Sequence, residues 1–181
     1  MANTIYQIRI DLLHIKPPIW RRILVSSDTD LETFSQHLLD VMGWYGYHLM
    51  SLKANDGEEY FPDETSVLEF NGSIMAESTL ADVLQKEKDK MLFTYDFGDN
   101  WEHTVLLEKI LAPEPGTHYP RCISGKRNCP PEDCGGPWGY ADLLEALANP
   151  KHPRHADMIE WTGGDHDPEE FDVEDANARL T

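Results

Sequence analysis

The chain begins with a regular alternation of apolar and polar residues, the pattern of a strand with one face buried. In residues 4–12 apolar side chains occupy every second position. Residues 19–25 repeat the pattern after Pro17 and Pro18, which lack the amide donor that a central strand needs. The sequence therefore predicts two strands, paired with each other.

A helical period replaces the alternation at residue 30. Apolar side chains recur at three- and four-residue steps through residues 31–41, with Asp30 placed to cap the first turn and Gly43 to end the last. Residues 62–78 are polar and show neither period, so they are predicted to be irregular. Shorter helices are predicted over residues 78–88, 139–150, 153–161 and 173–180.

Turn residues indicate two more strand pairs, one of them around Asp56-Gly57 in residues 47–61. The other is the stretch YDFGDNWEHTVLLE, residues 95–108, which has aromatic residues on both sides of its turn. Both aromatic rows face the core only if the connection has an odd number of residues, because a shift of one residue reverses every side chain. A three-residue connection, 98–100, is predicted; it places Phe97 opposite Trp101 and Tyr95 opposite His103, and His103 is interpreted as a core residue.

The same register brings two acids together on the other face of this hairpin. Asp96 is predicted to lie opposite Glu102, with Asp99 at the tip. Like charges in that position destabilise a hairpin unless they are solvated or neutralised. Arg21 or Arg22, a divalent cation and a shared proton are the alternatives for neutralising them.

Composition narrows the classes of partner. The 15 Lys and Arg and 33 Asp and Glu give a net charge of −18, which disfavours non-specific nucleic-acid binding. Arg121, Lys126 and Arg127 form a local basic patch that could take an anion or an acidic partner. The N-terminus lacks the pattern of a signal peptide, and no stretch has the length of a membrane span, so a cytoplasmic protein without a membrane segment is predicted.

Residues 113–137 are rich in proline, cysteine and glycine and are predicted to form one long loop. His118, Cys122, Cys129 and Cys134 could hold zinc in it, although their spacing is not typical of a zinc site. The alternative is three reduced thiols without a metal.

Two aromatic segments have alternative interpretations as well. Trp20 and Arg21 could form a ligand platform, or a structural cover over the core. Trp44 and His48 lie in a segment that could hold a flat ligand, or anchor the corner after the first helix. The acidic stretch GDHDPEEFDVED, residues 164–175, is interpreted as a solvated face, and no phosphate-binding, dinucleotide-binding or serine-hydrolase motif is present.

Several long strings together resemble the plasmid pRiA4b ORF-3-like family, among them IKPPIWRRILV, YDFGDNWEHTVLLE and YPRCISGKRNCPPEDCGGPWGY. The resemblance runs in order from about Ile5 to Leu180. It implies one α+β domain over residues 1–181, with a mostly antiparallel sheet and helices packed on it. It also implies an association with mobile elements, and no established activity. Cys134 belongs less firmly to the family pattern than Cys122 and Cys129, which weakens the three-cysteine zinc model and leaves a relationship between Cys122 and Cys129 as the more transferable feature. The other motif positions that match are Pro18, Trp20, Arg21, Gly43, Trp44, His48, Tyr95, Asp96, Gly98, Asp99, Trp101, His103, Pro130, Pro131, Glu132, Asp133, Gly135, Gly136 and Tyr140.

Three functional hypotheses follow. The first is a non-enzymatic module that binds a peptide, a protein or a small ligand, because the motifs carry rigid aromatic, proline and glycine residues but no nucleophile with its base. The second is a metal-dependent hydrolase or nuclease, with carboxylates holding zinc or another divalent metal and a histidine moving the proton. The third is a purely structural role for these motifs. The candidate ligand-binding residues are Trp20, Arg21, Trp44, His48, Asp96, Asp99, Trp101, His103, Glu132 and Asp133.

Overall fold

A computed structural model describes residues 4–164 and 166–180, and within them eight strands form one sheet. The strands are β1 (Ile5–Leu12), β2 (Trp20–Ser26), β3 (Met50–Ala54), β4 (Glu59–Phe61), β5 (Ser73–Ile74), β6 (Lys90–Tyr95), β7 (Trp101–Leu111) and β8 (Arg121–Lys126). Their order is β5-β4-β3-β6-β7-β1-β2-β8, and only the β4–β5 pair is parallel. The helices are α1 (Leu31–Met42), α2 (Glu64–Phe70), α3 (Leu80–Val83), α4 (Gly136–Ala148), α5 (His155–Trp161) and α6 (Val173–Arg179). The predicted α+β class and mostly antiparallel sheet are confirmed.

The sequence of helix α1 fixes both its ends and its buried face. The Asp30 carboxylate accepts a hydrogen bond from the Thr33 amide, and Gly43 ends the helix at φ 95°, donating its N–H to the Leu39 carbonyl. The apolar stripe that includes Phe34 packs against the buried alternate residues of β1. The strand predicted in residues 4–12 and the helix predicted after Asp30 are confirmed as β1 and α1. Within the described residues, no helix is long and apolar enough to cross a membrane.

Helix α2 and strands β5 and β8 lie where irregular chain was predicted. Helix α2 falls within 62–78; its Asp63 cap accepts a hydrogen bond from the Ser66 amide, but Leu68 and Phe70 are exposed, so the segment has no amphipathic pattern. Strand β8 falls within the predicted loop 113–137 and pairs with β2. Only one of its six residues is buried, which explains why it shows no alternation.

Strand β8 lies at one edge of the sheet and is covered by the C-terminal segment. The Cys122 amide donates to Asn177 Oδ1 at 2.8 Å, and Asn177 Nδ2 donates to the Cys122 carbonyl at 2.9 Å. Arg127 Nη2 lies 2.8 Å from Glu169 Oε1, and the Phe171 ring packs on the guanidinium of Arg21. The described acidic side chains of residues 164–175 are exposed, as predicted for a solvated face, and Phe171 and the Arg127–Glu169 contact make the same segment a structural cover as well.

Candidate cation site

The hairpin between β6 and β7 has the predicted parity but a different length. Tyr95 pairs with Trp101 and Phe93 with His103, so the connection is the five-residue segment 96–100. The aromatic rows still face the core, because five is also odd. Phe97 is instead 37% exposed, which corrects its predicted core position.

The longer connection follows from two residues that adopt left-handed backbone conformations. Asp96 has φ 56° and Asn100 has φ 55°, and both residue types tolerate this region better than most. The Asp96 side chain accepts a hydrogen bond from the Gly98 amide at 2.9 Å, which closes the start of the turn. The turn therefore directs the Asp96 carboxylate away from β7.

Asp96 and Glu102 do not face each other, so the predicted acid pair is wrong. Glu102 pairs with Thr94 across the hairpin, and its carboxylate lies 2.9 Å from His14 Nε2. The Asp96 side chain is only 12% exposed, and its Oδ2 lies 3.7 Å from His48 Nε2. Asp96 nevertheless belongs to a cluster of acids, formed with different partners.

That cluster surrounds the imidazole of His48. His48 Nε2 lies 3.1 Å from Asp133 Oδ1, 3.6 Å from Glu132 Oε2 and 3.7 Å from Asp96 Oδ2. Ligand atoms of His48, Asp96 and Asp133 all lie within 4.8 Å of one another. Among the described residues, no other group of three or more His, Cys, Asp or Glu side chains meets that distance.

Residues 130–136, the PPEDCGG loop, dock on the hairpin and bring two of these acids with them. The Pro130 carbonyl accepts a hydrogen bond from Trp44 Nε1 at 2.9 Å, and the Gly135 amide donates to Asp99 Oδ2 at 3.0 Å. A Cβ on Gly136 would lie 2.4 Å from the Asp99 carbonyl oxygen, so only glycine allows this approach. Asp99 is therefore a positioning residue, and the structure does not place it among the clustered carboxylates.

Two residues orient the Glu132 carboxylate, and the sequence alone did not predict this role for either of them. Its Oε1 accepts a hydrogen bond from the Tyr45 amide at 2.6 Å, and both its oxygens lie 3.1 Å from the Tyr95 hydroxyl. Burial, reinforced by Glu132, raises the pKa of Tyr95 to about 12, so the phenol stays protonated and donates. The sequence feature that points to Tyr95 is its predicted inward orientation, next to Asp96 in the hairpin.

An aromatic layer lies beneath the cluster. Trp44 stacks on Tyr95 with ring centroids 5.2 Å apart, and it also contacts Trp101 and His103. His103 is fully buried, and its Nδ1 lies 3.3 Å from the Phe93 carbonyl oxygen. Trp44, Trp101 and His103 thus support the site from the core, and none of them is exposed to a ligand.

The dependence of protein stability on pH tests whether His103 is buried in this aromatic layer. Burial lowers its pKa from 6.5 to about 4, so the unfolded chain binds a proton between these values and the folded chain does not. The contribution of neutral His103 to the free energy of unfolding is fully present above pH 6.5. It is lost as the pH falls towards 4, by up to about 1.4 kcal/mol per pH unit. Urea unfolding measured at several pH values tests this. We expect the free energy of unfolding to fall less steeply with decreasing pH in the His103→Leu variant than in the wild type. The exposed His118→Leu variant is the control; a His103→Leu slope equal to that of the wild type would contradict the assignment.

The four predicted zinc ligands do not meet. No three of His118, Cys122, Cys129 and Cys134, all of them described, have ligand atoms within 4.8 Å of one another. The cysteines are free thiols; burial raises the pKa of Cys129 and of Cys134, the latter to about 12. Without a metal, these groups are therefore protonated at neutral pH. The predicted basic patch is also reduced, because Arg127 is buried against Glu169.

The arginines proposed as partners of the acids have other roles. Arg21 is buried and donates hydrogen bonds to the carbonyls of Val41, Trp20 and Lys126. Arg22 pairs with Glu108 on the opposite face of the sheet, where Trp20 also lies. In the part of the chain that the structure describes, no Lys or Arg forms an ion pair with Asp96, Glu132 or Asp133.

The spacing of the cluster suits a metal ion. Atoms bound at about 2.0–2.2 Å around one tetrahedral or octahedral ion lie about 3–3.5 Å from one another. The distances from His48 Nε2 to its three carboxylates, 3.1 to 3.7 Å, are close to that range. His48 is 30% and Asp133 72% exposed, so the cluster is open to solvent on one side.

The chain is similar to proteins from a bacterium and an archaeon. The family model described as plasmid pRiA4b ORF-3-like protein matches residues 4–175. The uncharacterised protein y4hQ of Sinorhizobium fredii is 36% identical over 165 residues, which cover 90% of this chain and 83% of that protein. The crystal structure of MM3350, a protein of unknown function from Methanosarcina mazei Go1, matches with a TM-score of 0.86 at 34% identity, covering 97% of this chain and 98% of that one. The chain therefore belongs to the plasmid pRiA4b ORF-3-like protein family.

Proposed function

We propose that this protein is a non-enzymatic binding module whose site holds one divalent cation. The ligands are His48 Nε2, Asp96 Oδ2 and Asp133 Oδ1, and Glu132 lies beside them. The observation that carries the proposal is the convergence of one ligand atom from each of these three side chains, which come from three separate chain segments, within 4.8 Å.

Electrostatics supports a cation in this position. The Asp96 and Glu132 side chains are only 12% and 13% exposed, so solvent screens their charges poorly. Against three carboxylates the cluster has a single imidazole, and no basic side chain of the described chain joins it. An ion with two positive charges would offset most of the repulsion.

The donor set favours a transition metal or zinc. One imidazole nitrogen with carboxylate oxygens suits Zn²⁺ or Mn²⁺, whereas Ca²⁺ takes six to eight oxygen ligands and Mg²⁺ retains several waters. The fixed orientation of Glu132, which accepts from the Tyr45 amide and the Tyr95 hydroxyl, is the kind of outer contact that tunes a metal site.

Binding is favoured over turnover because potential catalytic groups are engaged elsewhere. His103 is sealed in the core, Asp99 holds the PPEDCGG loop, and Tyr95 donates to Glu132. The exposed side of the cluster, at Asp133, is where a bound ion would meet a further ligand. The same opening favours a second candidate, a metal-dependent hydrolase, because it leaves room for a metal-bound water.

Metal titration of the chelator-treated protein tests the proposal. We expect isothermal titration calorimetry to show one Zn²⁺ or Mn²⁺ per chain, and His48→Ala and Asp96→Asn to weaken that affinity by at least about 10-fold. Saturation at 100 times the dissociation constant should stabilise the wild type by about 2.7 kcal/mol.

Asp99→Asn is the matched control, because this residue lies in the same turn and its amide oxygen can still accept from Gly135. It should bind the ion as the wild type does. A wild type that binds neither metal, or a His48→Ala variant that binds equally well, would refute the proposal. Metal-dependent hydrolysis of a phosphodiester or ester substrate, lost in His48→Ala, would favour the second candidate.

A further inference from the structure

Exposed apolar side chains form a strip around the cation site. Tyr45 and Tyr47 are 74% and 79% exposed, and their rings stack on each other with centroids 5.6 Å apart. Leu49 is 50% exposed, and its carbonyl accepts a hydrogen bond from the amide of Asp96, the residue before Phe97. The Phe97 ring in turn contacts Phe70 edge to face at 5.6 Å. These five residues are called the apolar strip.

The fold does not need the side chains of the two tyrosines in this strip. The Tyr45 amide binds Glu132 and the Tyr47 amide binds the Tyr95 hydroxyl, so each residue contributes to the site through its backbone. Their rings contact each other and face solvent. Aromatic residues that are exposed together and surrounded by polar groups are typical of protein-binding surfaces.

The segments that carry the strip and the cation cluster are acidic. Residues 44–49, 62–74, 95–100 and 128–138 contain seven Asp and Glu and no Lys or Arg, and Arg179 of α6 lines the cavity beside Tyr45 and Glu132. The whole chain carries a net charge of −18. A partner with basic residues would therefore be attracted, whereas a second copy of this chain or a nucleic acid would be repelled.

We propose that the apolar strip docks a basic segment of another protein, one with aromatic or aliphatic anchors between lysines or arginines. The anchors pack on the stacked tyrosines and Phe97, and the basic side chains lie over the surrounding carboxylates. This surface does not depend on the ion, since a divalent cation would cancel only two of the local negative charges.

Selection from a displayed random 12-residue peptide library tests this surface. The wild type is the bait, and the triple variant Tyr45→Ser/Tyr47→Ser/Phe97→Ser is the counter-selection. We expect the enriched peptides to carry a positive net charge and apolar anchors. They should bind the wild type at least about 10-fold more tightly than the triple variant, with an affinity that falls as salt is added.

A double variant, Ile110→Ser/Ile123→Ser, is the control, because it removes exposed apolar side chains from strands β7 and β8, outside the strip. It should bind the selected peptides as the wild type does. The strip variant and this control should both keep the wild-type metal stoichiometry, which separates this test from that of the ion site. An enriched pool that is neutral or acidic, no enrichment, or equal binding by the strip variant would overturn the proposal. Self-association of the wild type that the strip variant abolishes would assign the surface to a second copy and would also overturn it.

Discussion

Replacing Trp44 by alanine is expected to lower the free energy of unfolding by about 3–5 kcal/mol. The side chain is 4% exposed, stacks on Tyr95, and contacts Trp101 and His103, so its removal leaves a cavity in the layer beneath the site. It also removes the hydrogen bond from Nε1 to the Pro130 carbonyl that holds the PPEDCGG loop. Urea denaturation at neutral pH measures the change.

Trp138→Ala is the control for that experiment, because Trp138 is 87% exposed and should change stability by less than about 0.5 kcal/mol. We expect Trp44→Phe to fall between the two, since it keeps a ring but loses the hydrogen bond to Pro130. Equal stability of Trp44→Ala and the wild type would mean that this aromatic layer does not support the loop.

The second large effect is expected at Arg21, where alanine should cost at least about 3 kcal/mol. Its guanidinium donates to the Val41 carbonyl in a buried hydrogen bond and to the Trp20 and Lys126 carbonyls in partly buried ones. A buried acceptor left without a partner costs about 1–3 kcal/mol. The cation–π contact with Phe171, 4.3 Å from the ring centroid, is lost as well. Arg21→Lys should recover little of the loss, because an ammonium cannot reproduce the planar fork that reaches separate carbonyls.

Arg22 offers the matched comparison on the same strand. Its partly exposed ion pair with Glu108 should contribute at most about 1 kcal/mol, so Arg22→Ala should be nearly neutral. Thermal and urea unfolding of the two alanine variants give the comparison. A ligand-binding role for Arg21, the alternative considered from sequence, would instead predict a stable Arg21→Ala variant.

Local signals were sufficient where a few adjacent residues determine the structure. The cap at Asp30, the helical period and Gly43 all lie within one short segment, so α1 could be predicted with both its ends. The parity of the hairpin was also predictable, because the two aromatic rows had to face the core together. Its length was not, since three- and five-residue connections satisfy the same condition, and the left-handed conformation of Asp96 decided between them.

The cation site could be predicted only in part, because its residues are distant in sequence. His48, Asp96, Glu132 and Asp133 were all candidates from their motifs, but no periodicity shows that these segments meet. Asp96 was assigned to Glu102 because the sequence reveals neighbours along a strand better than contacts between loops. The positioning of Glu132 by the Tyr45 amide was not predictable, because a backbone donor leaves no mark in residue identity.

The pairing of Asn177 with β8 limits how this protein can assemble. An outermost strand normally has free backbone amides and carbonyls, with which a strand of another chain can pair in β-augmentation or in amyloid. At Cys122 both groups already bond to a carboxamide that imitates the next strand. Sheet extension is thereby blocked at this point of the β8 edge, which protects the fold against ordered aggregation there.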